Sequence, residues 1–290
     1  MRASPYLAEI ERLDPERDHL RICYLDACFE FPFDTTRSLE LAFFRTFAVP
    51  SIAELLDSTG EFTERATKRY DDTDLLISSF VERGYDTAAG RAAIRRMNQI
   101  HGRFQVANED FLYVLSTMVL EPIRWNARFG WRPLIANERL ATFFFWREVG
   151  RMMDIKDIPD SYDALERFNV AFERDRFAPT VAGRRLAAAM IRMFVGKVPG
   201  LPLQLGERAI HALLDQPLLD ALALPCPTKA ERRAVEGAVK LRSRAVRLLP
   251  PRRRPHLRTE IRRRTYPRGF RVEELGPTAP ASGHTPGWAP

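Results

Sequence analysis

With 290 residues, 45% of them hydrophobic, the chain is long enough to bury one large core, and its three cysteines (Cys23, Cys28, Cys226) are too few and too oddly spaced for a disulfide framework or a zinc cluster. Apolar runs such as Leu140–Trp146 are far short of a membrane span, and the polar N-terminal stretch has no apolar segment of the signal-peptide kind. The expectation is a soluble, cytoplasmic protein whose surface decides any membrane association. The net charge of +7 is unevenly placed: residues 241–270 hold eleven arginines and one glutamate, while the first 240 residues sum to −2. The basic character therefore belongs to a C-terminal segment and not to the domain.

In chain order the pattern predicts helix after helix. SIAELLDS opens with Ser51 and, three residues on, Glu54, a capping-box pair. RATKRYDDTDLLISSFVERG reads as a helix closed by Gly84. The next, GRAAIRRMNQIHGRF, places Ile94, Met97, His101 and Phe104 on one helical face. Asn108 is expected to cap EDFLYVLSTMVLEPIRWNARFG, and Asn137 to cap ERLATFFFWREVGRMMDI. Ser161, Thr180 and Thr228 (with Glu231) stand where three later helices begin, and a short helix falls near GERAIHALLD. No run of alternating β-branched residues predicts a strand. The reading is an all-α domain over 1–249 with its core in about 20–248. A proline- and arginine-rich extension follows over 250–276, and a low-complexity, disordered tail over 277–290.

Histidine is scarce, five in all, and His101 lies in an apolar stripe, where its imidazole needs a backbone carbonyl, a carboxylate or a metal as partner. No metal-triad spacing, nucleophile elbow, P-loop or dinucleotide fingerprint occurs in the chain. A lone helical histidine is more often a packed core residue; the metal option it leaves open is the proximal ligand of a haem. Arg69, Asp72 and Thr73 share a helix face that Leu76 and Phe80 continue. That cluster reads either as a helix-end salt bridge or as polar groups lining an apolar cavity.

The pieces SIAELLDSTGEF, KRYDDTDLL, MNQIHGRF, NEDFLYVLSTMVLEPIRW, FGWRPL, FFFWREVGRMMDIKDIP and TYPRGFRVEELG lie in that order between Leu13 and Gly276. Together they resemble the MpaB-type oxygenase family, which shares its catalytic domain with the latex-clearing rubber oxygenases. The resemblance specifies a family and not a substrate. It implies a globin-like all-α domain holding haem b, with His101 at the proximal histidine's place and dioxygen as co-substrate. Rubber oxygenases carry an Arg-x-x-Lys-Thr motif on the distal side; Arg69 and Thr73 match it, but Asp72 stands where the lysine should be, and Lys68 lies beside the motif. The family's glutamate has no clear counterpart, Glu54 and Glu61 being nearby candidates. The implied reaction is oxygenation or cleavage of a C=C bond in an apolar, isoprenoid-like substrate, with Phe111, Leu115, Phe144 and Trp146 as candidate channel residues.

Two other readings compete. A non-catalytic helical haem- or lipid-binding protein of the same fold would explain the missing lysine. A nucleic-acid binder would use the arginine-rich segment, but its aromatics, Tyr266 and Phe270, belong to the family-like TYPRGF stretch. A solvated extension, or one making peripheral contact with anionic lipid, is the better expectation.

Overall fold

The computed structural model describes residues 4–277. Its helices are α1 (Pro5–Ile10), α2 (His19–Leu25), α3 (Pro32–Phe47), α4 (Pro50–Ser58), α5 (Glu61–Glu64), α6 (Ala66–Arg83), α7 (Ala88–His101), α8 (Asn108–Phe129), α9 (Ala136–Met152), α10 (Tyr162–Arg176), α11 (Val181–Gly196), α12 (Leu203–Leu213), α13 (Gln216–Ala221) and α14 (Lys229–Leu248). A π-helical turn (Asp26–Glu30) and two short 3-10 turns complete the regular structure, and no strand occurs among the described residues. The all-α expectation is met.

Local chemistry sets most boundaries. The hydroxyls of Ser161, Thr180 and Thr228 cap α10, α11 and α14 as read from the sequence, and Thr87 caps α7 by accepting from the Gly90 amide at 3.1 Å. Gly84 ends α6 at φ 83°, a conformation that side chains resist.

Three expected caps are corrected. Ser51 sits inside the first turn of α4, which follows Val49 and starts at Pro50. Asn108 caps nothing: its amide donates to the Lys156 carbonyl at 3.0 Å and accepts from the Lys156 amide at 2.8 Å. Asn137 donates to the carbonyls of Ile10 (3.1 Å) and Leu13 (3.0 Å), while Glu138 accepts from the Ile135 amide at 2.7 Å and opens α9. In both cases backbone groups at a helix end or in a loop claimed the amide.

Two apolar clusters carry the core. One joins Leu76 and Phe80 of α6, Ile94 of α7, Leu115 and Val119 of α8, and Phe143 to Val149 of α9. The other joins Phe44 and Phe47 of α3, Phe62, and Leu186 and Met190 of α11. A buried polar group is centred on Arg45 of α3, which meets Glu121 of α8 at 2.7 Å and Glu173 of α10 at 3.0 Å. Such pairs fix geometry more than they add stability.

The extension over 250–276 is corrected as well. From His256 to Gly276 it is docked as a strap on α6 and α7 through Arg258, Arg263, Tyr266 and Leu275, while Arg262, Arg264, Arg268 and Arg271 stay exposed. Arg258 Nε reaches Asp74 at 2.7 Å, Arg263 Nη1 reaches Asp71 at 2.7 Å and its Nη2 reaches Asp74, and the Arg258 amide donates to Glu82 at 2.5 Å. The physical reason lies on α6, where Asp71 and Asp74 take their direct ion pairs from Arg258 and Arg263 of the strap. The disorder expected over 277–290 falls, from residue 278 on, outside the described residues.

Candidate functional site

α7 leads to the site by its periodicity. Ala93 and Ile94 are buried, Met97 and Ile100 pack on the same cluster, and His101 closes the helix with its ring centroid 5.3 Å from that of Phe111. The half-buried ring has a fully buried Nδ1 with no hydrogen-bond partner among the described residues. Burial, reinforced by the Arg69 guanidinium, pushes the imidazole's pKa down to about 4, so the ring is neutral at neutral pH. Among the described residues neither a backbone carbonyl nor a carboxylate partners that nitrogen.

Arg69 comes from the first turns of α6. One of its guanidinium nitrogens donates to Thr73 Oγ1, one turn further on, and its guanidinium carbon lies 5.0 Å from the centroid of Phe62. Burial lowers its pKa from the ordinary value against the opposing pull of Asp72 and Glu61, and a guanidinium keeps its charge regardless. The structure therefore brings His101, Arg69 and Thr73 to one locality, with a fixed positive charge facing a neutral imidazole.

Asp72 is placed differently. It is 2% exposed, and its carboxylate accepts from Lys68 Nζ at 2.8 Å and from the Tyr266 hydroxyl of the strap. Lys68 also donates to the Gly276 carbonyl at 2.9 Å. Asp72 acts on Arg69 only through space; its direct contacts anchor the strap. Lys68, adjacent to the motif in sequence, is spent on the same anchor.

The remaining candidates divide. Glu54 is exposed. Glu61 is buried and accepts from Arg65 at 2.7 and 3.2 Å. Phe111 touches His101, whereas Leu115, Trp146 and Phe144 pack in the first apolar cluster. Phe62 was missed by sequence reasoning: it lies across a helix break from Arg69, so no period relates them. Tyr266 was noted only as a sparse aromatic, and no local signal ties it to Asp72.

Thr73 also lines a small, solvent-open pocket of about 50 Å³ between α3 and α6. Leu39 and Phe43 of α3 and Ile77 and Val81 of α6 line it, and Arg258 of the strap forms part of its wall.

Among the described residues no group of three or more His, Cys, Asp or Glu side chains is arranged to hold a bare metal ion. One neutral imidazole with an orphaned nitrogen, set among Phe111 and aliphatic neighbours, fits a different kind of group. A metal already held by a macrocycle needs a single axial side chain, and a neutral His101 with a buried, unpartnered nitrogen is of that type.

Residues 41–244 match the family model described as the catalytic domain of ER-bound oxygenase mpaB/B′ and rubber oxygenase. The chain is 26% identical to ER-bound oxygenase mpaB′ of Penicillium brevicompactum over 243 residues, 78% of this chain and 57% of that protein. It is 35% identical to ER-bound oxygenase mpaB of Penicillium roqueforti (strain FM164) over 135 residues, 44% of this chain and 45% of that protein. The chain thus spans about half the length of the curated relatives it matches. Arg69, Thr73 and His101 lie inside the matched region and the strap lies beyond it. No helix among the described residues is long and apolar enough to cross a membrane.

Proposed function

The chain belongs to the family of the ER-bound oxygenase mpaB/B′ and rubber oxygenase catalytic domain, and from that premise we propose that it is a haem b-dependent oxygenase acting with dioxygen on a C=C bond of an apolar, isoprenoid-like substrate. The observation that carries this reading is the orphaned, buried Nδ1 of a neutral His101 beside Arg69 and Thr73. His101 would hold the haem from the end of α7. The haem would supply dioxygen activation; the protein supplies everything around it.

His101 stays neutral, so a ring lone pair is available without first losing a proton. Arg69 is kept from solvent by Phe62 and aimed by Thr73, so its charge is preorganised for negative charge that develops on an oxygen during the reaction. The Thr73 hydroxyl accepts from Arg69, which leaves its own proton available as a donor. Phe111 packs against the His101 ring and would shield that side of it from water. The pocket lined by Leu39, Phe43 and Ile77 offers apolar wall for a hydrocarbon chain next to Thr73.

The test is the absorption spectrum of the purified protein reconstituted with haemin, beside that of His101→Ala. A Soret band near one haem per chain, lost in the variant, supports the assignment. A wild type that stays colourless sinks it, and a Soret band that His101→Ala leaves unchanged moves the ligand elsewhere.

A further inference from the structure

α14 turns its apolar stripe outward. Ala234, Ala238, Leu241, Ala245 and Leu248 recur at alternating steps of four and three, which places them on one helical face. All five are exposed, Leu241 at 65% and Leu248 at 87%, and Leu249 just beyond the helix is 57% exposed. Gly237 lies on the same face, and a Cβ there would meet nothing within 4 Å. The helix is fastened to the body by its other side, where Val235, Val239 and Val246 are half-buried and polar contacts are made. Ser243 Oγ donates to the Phe129 carbonyl at 2.5 Å, Arg242 pairs with Asp34 at 3.1 Å, and Arg128 with Glu236 at 2.6 Å. Amphipathic helices are ordinarily held by burying their apolar stripe; here the stripe is left over.

The border of that stripe is basic. Arg233, Lys240, Arg244 and Arg247 run along one edge. Arg233, Arg244 and Arg247 have no acidic partner among the described residues, whereas Arg232 and Arg242 on the inner side are engaged. Exposed leucines flanked by unpaired arginines on one helix are complementary to a surface that is apolar below and negatively charged above.

We propose that this face of α14 is a docking surface for an anionic phospholipid bilayer. The helix lies in the plane of the interface, with Leu241, Leu248 and Leu249 at the acyl boundary and Arg233, Arg244 and Arg247 among the phosphates. A second copy of the chain fits the face less well. The four-three spacing also suits a coiled seam, but three of its five positions are alanine and the border repels its own kind. Such docking lies on a membrane and does not cross it, in keeping with the absence of a spanning helix among the described residues.

The experiment is flotation of the full chain with vesicles of phosphatidylcholine alone or with about 30% phosphatidylserine. The protein is expected to float with the anionic vesicles, to stay behind with the neutral ones, and to release in about 0.5 M salt. Leu241→Glu or Leu248→Glu is expected to lower partition by about tenfold or more. Removing Arg244 and Arg247 costs about fivefold each. Both leucines are in solvent, so the circular dichroism of the variants stays that of the parent. Failure to float on anionic vesicles overturns the proposal, as does flotation that the leucine variants leave intact. A dimer in light scattering that Leu241→Glu converts to monomer gives the face to a second copy and overturns it too. Flotation requires no haem, so its result is independent of the assignment of His101.

Discussion

Along the chain, α14 and the strap form one block of arginines, but in space they are used in opposite ways. Before Pro250, Arg233, Arg244 and Arg247 point to solvent beside exposed leucines. After it, Arg258 and Arg263 turn inward and meet Asp71 and Asp74 of α6. The difference lies in what each segment faces and not in its own composition. α6 carries two acids, Asp71 and Asp74, whose direct ion pairs come from the strap, while the body beneath α14 offers polar groups for only a few of that helix's side chains. A charge run therefore has no direction until its counterions are located.

Substitutions sharpen the contrast. Arg263→Ala leaves the buried Asp71 without a cation, with the Thr265 hydroxyl as its remaining donor, while Asp74 keeps Arg258. The variant is expected to cost about 3–5 kcal/mol in urea unfolding. Arg247→Ala, in the same sequence block, is expected to change stability by less than about 0.5 kcal/mol. Equal effects would erase the distinction between the two regions. Among apolar residues the same comparison sets Ile94, 1% exposed, against Leu241. Ile94→Ala is expected to cost about 2–4 kcal/mol, and Leu241→Ala close to nothing. Tyr266→Phe removes one donor to the buried Asp72 while Lys68 remains, so its cost is expected near 1–2 kcal/mol. The site side can be probed separately. Arg69→Leu is expected to keep the Soret band and to speed autoxidation of the reduced protein about tenfold or more, since a hydrogen-bonding cation is lost from the site. Unchanged autoxidation would leave Arg69 as a packing partner of Phe62 and Thr73.

Much of the site was legible because its links are short in sequence. Arg69 and Thr73 are one helical turn apart, and the stripe of Ile94, Met97 and His101 is a plain 3.6-residue period. The caps at Ser161, Thr180 and Thr228 followed from hydroxyls set before an apolar run. The failures involve partners far along the chain. Asn108 and Asn137 had the right chemistry for caps but were claimed by backbone at Lys156, at the end of α1 (Ile10) and at Leu13. Asp72 stands where the family motif has a lysine, and its contact with Tyr266, 194 residues away, lies beyond what the motif can show. Propensity and spacing carry no information at that range; only packing does.

The strap also has a kinetic meaning. α6 and α7 are adjacent in sequence and can pair early, but the clasp that joins them closes contacts separated by about two hundred residues, from Lys68 to Gly276 and from Arg96 to Leu275. A Cβ on Gly276 would lie 2.5 Å from Ile100, the residue before His101, so the chain arrives at close quarters beside the site. Loops this long cost entropy to close and tend to form after the folding transition state. Loosening the clasp should then steepen escape from the native state while leaving the refolding arm of the chevron where it was. On that account the last stretch to dock governs how long the site, once formed, persists.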